Sequence, residues 1–289
     1  MSCTMQRSVL DQVWSPTQHI ALWLGAWLSG LENYDHLLDA LDSLGGPTSV
    51  PGTFVLADAT VPNVIDCDAD LDRSDMLRLL RAVTEAGDWH SDHRPLVRLI
   101  LSGPGDAPAL PAGTDAAEAA RAAGSAIVIA DAEPGWNHVL IPVTTPVPGL
   151  PQWHWYTLEG HIPEPAYLSP GEADLQLADA ARVAAATIAA MPRSPLTSSS
   201  SGAPKVDPRL MVGMLDDHLD MAFVPDDVPR RALGVLARAD RASSILAVAQ
   251  GSESGHGSAA FDAQLIPLWR KIRQARMSAV EYAIQEWTR

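Results

Sequence analysis

Two residue types are scarce in this sequence, which has two cysteines, Cys3 and Cys67, and two lysines, Lys205 and Lys271. Two cysteines are too few for a disulfide framework, so the class of small secreted proteins held together by disulfides is excluded. The low cysteine content favours a reducing compartment, and we expect a cytoplasmic protein.

Positive charge is missing from long stretches of the chain. Residues 8–72 contain ten carboxylates and neither Lys nor Arg, and residues 122–181 contain seven carboxylates and no base. The net charge of −15 belongs entirely to residues 1–207, because residues 208–289 carry ten acids and ten bases. Polyanions are bound by clustered Lys and Arg, so we do not expect a nucleic-acid partner.

Long apolar runs are also absent. The most apolar segment, residues 20–28, is far shorter than the roughly 20 residues that a membrane-spanning helix needs. Asp11 precedes this segment and no small-residue cleavage site follows it closely, so we interpret it as part of a folded helix rather than a signal peptide. We therefore predict no membrane span.

The pattern of apolar residues predicts an α+β protein with a mixed sheet of about five or six strands flanked by helices, followed by an all-α unit of three helices. The predicted strands are residues 53–59, 61–65, 96–101, 126–130, 138–144 and 153–158. The predicted helices are residues 16–30 and 33–44, one that begins near 72 or 74, then 114–123, 169–191, 208–223, 228–250 and 259–288.

One segment has the composition of a linker. Residues 192–207 (PRSPLTSSSSGAPKVD) are rich in Ser, Pro and Gly and show no periodicity. We therefore predict an acidic body domain at residues 1–191, a linker at 192–207 and a helical C-terminal unit at 208–289. The pattern leaves open whether the C-terminal unit folds alone or completes the core of the body.

The densest group of potential metal ligands is His90, Asp92 and His93, which follows a predicted helix. Two imidazoles and a carboxylate suit Zn²⁺ or a similar divalent ion. Asp66 and Asp68 belong to a run of alternating carboxylates that lacks the Gly and Glu of an EF-hand loop, and they are possible additional ligands. The alternative is a polar surface turn and a solvated helix start. If a divalent metal binds here, the chain is a metal-dependent hydrolase, so the sequence does not decide whether it is an enzyme.

The predicted strand at 153–158 places Trp153 and Trp155 on one face, and His161 follows it. Indole rings with a few polar groups are typical of small-ligand pockets, but the pattern favours a sheet face packed on helices. The first interpretation makes the chain a small-ligand sensor, whose linker would carry the signal to the C-terminal helices.

The helix at residues 16–30 is apolar on all sides, which is typical of a helix buried on several faces or at a subunit interface. Trp23 and Trp27 are therefore candidate interface residues. A Gly-containing turn at residues 102–105 lacks the spacing of a dinucleotide-binding loop, and we find no complete catalytic signature.

The last predicted helix carries a cluster of bases that could contact nucleic acid, although the pattern favours a solvated helix face or a surface that docks on the acidic body: Arg270, Lys271, Arg273 and Arg276. Taken together, these features support a first hypothesis of a non-enzymatic interaction or regulatory protein with an acidic surface, whose partner is another protein or a second copy of the chain.

Overall fold

The structure is a computed structural model of the 289-residue chain. It describes residues 16–44, 54–56, 73–89, 94–143, 152–164, 168–190, 224–252 and 258–289. The predicted strand at 61–65, the linker at 192–207 and the helix at 208–223 lie outside these residues and stay predictions.

The helices of the described residues lie close to the positions that the periodicity predicts. They are α1 (Pro16–Leu28), α2 (Tyr34–Leu44), α3 (Arg73–Thr84), α4 (Asp115–Ala123), α5 (Pro170–Ala190), α6 (Arg230–Ser252) and α7 (Ser258–Trp287). In the described parts of the chain, no helix combines the length and the apolar character that crossing a bilayer requires.

Two of these helices begin at caps that the local sequence specifies. The hydroxyl of Thr114 accepts a hydrogen bond from the amide of Ala117 at 3.2 Å at the start of α4. At the start of α5, Ser169 and Glu172 form a reciprocal capping box: the amide of Glu172 donates to the Ser169 hydroxyl, and the amide of Ser169 donates to Glu172 Oε2. This capping box explains why α5 begins at Pro170.

The sheet contains four antiparallel strands, and a short fifth strand adds to one edge in parallel. The antiparallel strands are β2 (Val97–Leu101), β3 (Ser125–Ala130), β4 (Trp136–Val143) and β5 (Gln152–Glu159). The parallel strand is β1 (Phe54–Leu56), and the order is β1-β5-β4-β3-β2. The mixed α and β composition and the C-terminal helical region are confirmed, but the predicted five or six strands overcount the antiparallel sheet, which has four.

The larger core lies between one face of the sheet and the helices α1, α3 and α7. Alternation along β2 turns Val97, Leu99 and Leu101 into this core, while Ile100 faces a smaller core beneath α4. The sheet is therefore buried on both faces, which explains the near-continuous apolar sequences of β2 and β3.

Helix α7 packs against α5, α6, β2 and α1. Its closest approach to α1 is at Gly25, where an added Cβ would lie 2.9 Å from Ile284 Cγ1. Apolar residues of α7 such as Ile272 and Val280 belong to the same core as the inner face of the sheet. The C-terminal helical region therefore contributes directly to the larger core.

Candidate functional site

A groove of about 410 Å³ opens between the end of α1, the start of α2 and one face of α3. Its lining consists of Trp27, Tyr34, Ser74, Arg78, Arg81, Ala82 and Glu85. The lining residues of α3 recur at helical spacing and therefore share one face of the helix. Met76, Leu77 and Leu80 occupy the opposite face and pack into the core. The amphipathic pattern of α3 thus turns a polar, arginine-bearing face toward the groove.

Arg81 joins the two walls of the groove. Its guanidinium lies 4.2 Å from the centre of the Trp27 ring, within cation–π range. Its Nη2 donates to the carbonyl of Trp27 at 2.8 Å and its Nη1 to that of Leu28 at 3.3 Å. A cation here compensates the negative end of the α1 dipole. Burial lowers the pKa of Arg81, and the nearby charge of Glu85 opposes that shift.

The rim of the groove is apolar and open. Tyr34 is 37% exposed, and Leu31, in the turn between α1 and α2, is 44% exposed. The Tyr34 ring lies 6.5 Å from the ring of Trp27, tilted by 56°. Arg78, with a side chain 74% exposed, forms an ion pair with Asp75 at 3.0 Å. The groove therefore combines aromatic surface with accessible positive charge.

The predicted interface residues Trp23 and Trp27 are both buried within the chain. Helix α1 contacts α2, α7, β2 and β3, and these contacts account for its apolar character on all sides. Trp27 also lines the groove. A contact with another protein through either tryptophan stays a prediction.

The predicted ligand-binding residues occupy different environments. Trp155 is completely buried in the larger core, and Trp153 packs partly buried against the same core. His161 is exposed in the segment that follows β5. The two indoles do share one face of the strand, but the hypothesis that these residues line a ligand pocket stays a prediction.

A buried polar group that the sequence analysis missed links β4, β5 and the residue that follows β3. His138 Nε2 lies 2.9 Å from Asp131 Oδ2, and the indole N–H of Trp155 donates to His138 Nδ1 at 3.0 Å. Because an indole nitrogen is only a donor, Nδ1 is the acceptor and the imidazole hydrogen lies on Nε2, donating to Asp131. The free lone pair of His138 is thereby occupied, so this group is built to hold strands together rather than to transfer protons.

The carboxylate of Asp131 is held in its ionised form by this group. Burial raises the pKa of Asp131, but hydrogen bonds from His138 and from the amide of Glu133, together with nearby charge, outweigh burial and lower it. The signal in the sequence was a histidine two residues before Leu140 on β4. Residues two apart on a strand share a face, so His138 points to the same side of the sheet as the buried Leu140.

The predicted metal ligands lie outside the described residues: His90, Asp92, His93, Asp66 and Asp68. Both residues that flank segment 90–93 are described, and Arg94 donates to the carbonyl of Asp131 at 3.4 Å while lying 5.8 Å from the ring of Trp89. Within the described ranges, no group of three or more His, Cys, Asp or Glu is placed to hold a metal. The metal site and the hydrolase hypothesis stay predictions.

The bases predicted on the last helix bind other groups of this chain. Arg270 Nε and Arg273 Nη2 contact the two oxygens of Asp106 at 2.8 and 2.6 Å. Lys271 donates to Gln176 at 2.6 Å, and Arg276 binds Asp240 at 2.6 Å. The contacts with Asp106 dock α7 on the acidic body, as one interpretation of the sequence predicts.

Asp106 closes the turn that follows β2. The amide of Asp106 donates to the carbonyl of Gly103 at 2.8 Å, and the amide of Gly103 donates back at 3.2 Å. A Cβ on Gly103 would lie 2.9 Å from Arg273 Nη1, so glycine permits this close approach. The segment is a turn, as its spacing predicts, and its contact with α7 is a finding of the structure.

Comparison with known proteins gives two family matches. The model of the Rv1486c-like protein N-terminal domain matches residues 17–167, and that of the C-terminal domain matches residues 171–277. The chain is 32% identical to Uncharacterized protein Rv1486c of Mycobacterium tuberculosis (strain ATCC 25618 / H37Rv), covering 93% of this chain and 96% of that protein.

A second relative, Uncharacterized protein ML1804 of Mycobacterium leprae (strain TN), is 28% identical over 93% of this chain and 97% of that protein. No solved structure matches the chain. The names of these relatives state no activity, and the groove lies wholly within the part matched by the N-terminal domain model.

Proposed function

Because the chain belongs to the Rv1486c-like protein family, whose relatives carry names without an activity, we propose a function from the geometry of the groove. The chain is a cytoplasmic interaction protein that binds a partner protein in the groove between α1, α2 and α3, and exerts its effect through that contact.

The observation that carries this proposal is the composition of the groove. Protein interfaces draw most of their binding energy from a few side chains, among which Trp, Tyr and Arg are enriched. Here Trp27, Tyr34, Arg78 and Arg81 line one groove, and Tyr34 is 37% exposed. A partner side chain entering the groove would cover apolar surface that now faces water, which favours association.

The polar groups of the groove are arranged for binding rather than for chemistry. Ser74 is the only hydroxyl that α3 contributes to the lining, and Glu85 is the carboxylate. They are separated by three helical turns, about 16 Å along the axis, so they cannot act as a nucleophile and its base. Arg81 is engaged by the carbonyls of α1. These contacts support recognition as the role of the groove.

Site-specific photo-crosslinking in the native host tests the proposal. A benzophenone amino acid at position 34 should give a discrete crosslinked product with one partner, and the same probe at Arg121, exposed on α4, should not. With the partner identified, Tyr34→Ala should weaken its binding by roughly tenfold or more, as for a central aromatic anchor. Equal products from both positions would contradict the proposal, as would a protein that is strictly monomeric and gives no product at position 34.

A further inference from the structure

We infer that the groove recognises an acidic segment of its partner protein, in which a carboxylate lies beside an aromatic or long aliphatic side chain. The inference rests on the proposed protein-binding function and specifies the chemistry of the partner.

The first support is the sign of the charge in the groove. Its lining has two cations, Arg78 and Arg81, against one anion, Glu85, in a chain whose net charge is −15. Arg73, at the start of α3, lies outside this lining and forms an ion pair with Asp42. A carboxylate is therefore attracted to this groove, while the field of the whole chain keeps away densely anionic polymers.

The second support is the incomplete compensation of Arg81. Both hydrogen bonds of its guanidinium go to neutral carbonyls, those of Trp27 and Leu28. Burial of a cation carries a free-energy cost, and hydrogen bonding to a carboxylate is the interaction that offsets it best. A carboxylate from the partner, entering between α1 and α3, would give Arg81 a charged hydrogen-bond acceptor in addition to the nearby charge of Glu85.

The third support is the availability of Arg78. Its pairing with Asp75 is an exposed contact one helical turn away, with the Arg78 side chain 74% exposed. Exposed ion pairs of this kind contribute little free energy, so a partner carboxylate can replace Asp75 at small cost. The planar guanidinium of Arg78 then offers two parallel donors to the incoming carboxylate.

The apolar rim sets the second requirement on the partner. Tyr34 and Ala82 line the groove together with the two arginines. An aromatic or long aliphatic side chain beside the partner carboxylate would cover this rim, and its burial would exclude water from the charged contact and strengthen it. The recognised unit is therefore a pair of neighbouring residues, one acidic and one apolar.

Selection from a phage-displayed library of random 12-residue peptides, against the full-length chain, tests this inference. Enriched peptides should carry Asp or Glu next to an aromatic or long aliphatic residue, and they should lose affinity for Tyr34→Ala. For a synthetic copy of such a peptide, Arg78→Ala should raise the dissociation constant roughly tenfold, and replacing the peptide's acid by its amide should do the same. Combining both changes should cost no more than either alone.

Arg182→Ala is the matched control. Arg182 on α5 is 73% exposed and pairs with Asp179 at the same spacing as Arg78 with Asp75. It should leave the dissociation constant unchanged. Peptides that need Tyr34 but bind Arg78→Ala normally, or bind equally well as amides, would overturn the inference and leave the protein-binding function intact. A selection without any Tyr34-dependent peptide would contradict both.

Discussion

Glu281 on α7 is a partly buried carboxylate close to Arg98 on β2 and to Glu164 in the segment after β5. Its charged neighbours are Arg98 on β2 and Glu164 in that segment, and Gln285 donates to Glu281 Oε1 at 3.3 Å. Arg98 is itself buried, its Nη2 lies 3.4 Å from Glu164, and its Nε finds no hydrogen-bond partner among the described residues. The guanidinium of Arg98 therefore interacts electrostatically with the carboxylates of both Glu164 and Glu281.

Burial raises the pKa of Glu281, the charge of Arg98 opposes that shift, and the charge of Glu164 adds to it. The folded state therefore keeps a proton on Glu281 at a pH where the unfolded chain has released it. Between the ordinary Glu pKa of roughly 4.3 and the raised value, the free energy of unfolding falls as pH rises. At pH values above the raised pKa of Glu281, the free energy of unfolding falls no further through this group.

Glu281→Gln should remove this loss. We expect the variant to match the wild type at pH 4 and to be more stable at pH 7.5, by about 1.4 kcal/mol for each unit by which the pKa is raised. Urea unfolding at the two pH values measures the difference. Glu159→Gln, at the exposed end of β5, is the control and should show no such gain at pH 7.5. A Glu281→Gln variant that is less stable than the wild type at pH 7.5 would show that the attraction of Arg98 outweighs burial.

Helices α1 and α7 approach each other closely because Gly25 has no side chain. A Cβ at this position would lie 2.9 Å from Ile284 Cγ1 and 3.4 Å from the Trp287 ring. The first distance is well inside van der Waals contact, and Ile284 is fully buried and cannot move aside freely. The contact fixes where α1 lies on α7, and therefore where Trp27, two residues farther along α1, stands in the groove.

Gly25→Ala should destabilise the protein by about 1–3 kcal/mol, the range for overpacking a core, partly offset by the higher helix propensity of Ala. Gly234→Ala in α6 is the matched control, because nothing lies within 4 Å of its added Cβ. The control should stabilise the protein by up to roughly 1 kcal/mol. Denaturant unfolding compares both variants with the wild type. Equal stabilisation by the two alanines would show that α1 and α7 are not in close contact.

Periodicity was sufficient to place the described helices and strands approximately but not to pair them. The Ser169–Glu172 capping box and the apolar stripe of α3 depend on neighbours a few residues apart, so they could be found from the sequence. The all-round apolar character of α1 indicated burial, but its partner α7 is more than 200 residues away. Contacts at that separation depend on the assembled sheet, which no local pattern encodes.

The contacts within the candidate site were even harder to predict from the sequence than the pairing of the helices and strands. His138 binds Trp155 because of the register of β4 and β5, and it binds Asp131, the residue after β3, because of the register of β3 and β4. The groove likewise exists because the end of α1 meets α3. The spacing of Arg78 and Arg81 in the sequence could not show that both line a groove. The bases of α7 were easier to interpret, because the sequence shows that the net negative charge belongs to residues 1–207 and that these bases lie outside that region.

The uneven charge of the chain acquires a structural role in the folded molecule. Arg270 and Arg273 on α7 both bind Asp106 in the turn after β2, so the balanced C-terminal region meets the acidic body through a shared carboxylate. Beneath these contacts, Ile272 and Val280 enter the core formed by β2 and α1. Both the apolar and the ionic contacts therefore oppose separation of the two regions.

A variant in which residues 198–201 are replaced by the recognition site of a specific protease can be cut at that position. After cleavage, the two pieces of the chain should stay associated. They should elute together in size-exclusion chromatography and unfold in one transition, because α7 supplies part of the core that covers β2 and α1. Residues 1–191 produced alone should expose that core surface and aggregate. The uncleaved variant is the control for any effect of the inserted site. Two separate peaks, each with its own cooperative unfolding transition, would show instead that the helical C-terminal unit folds independently and that the contacts of α7 with β2 and α1 contribute little stability.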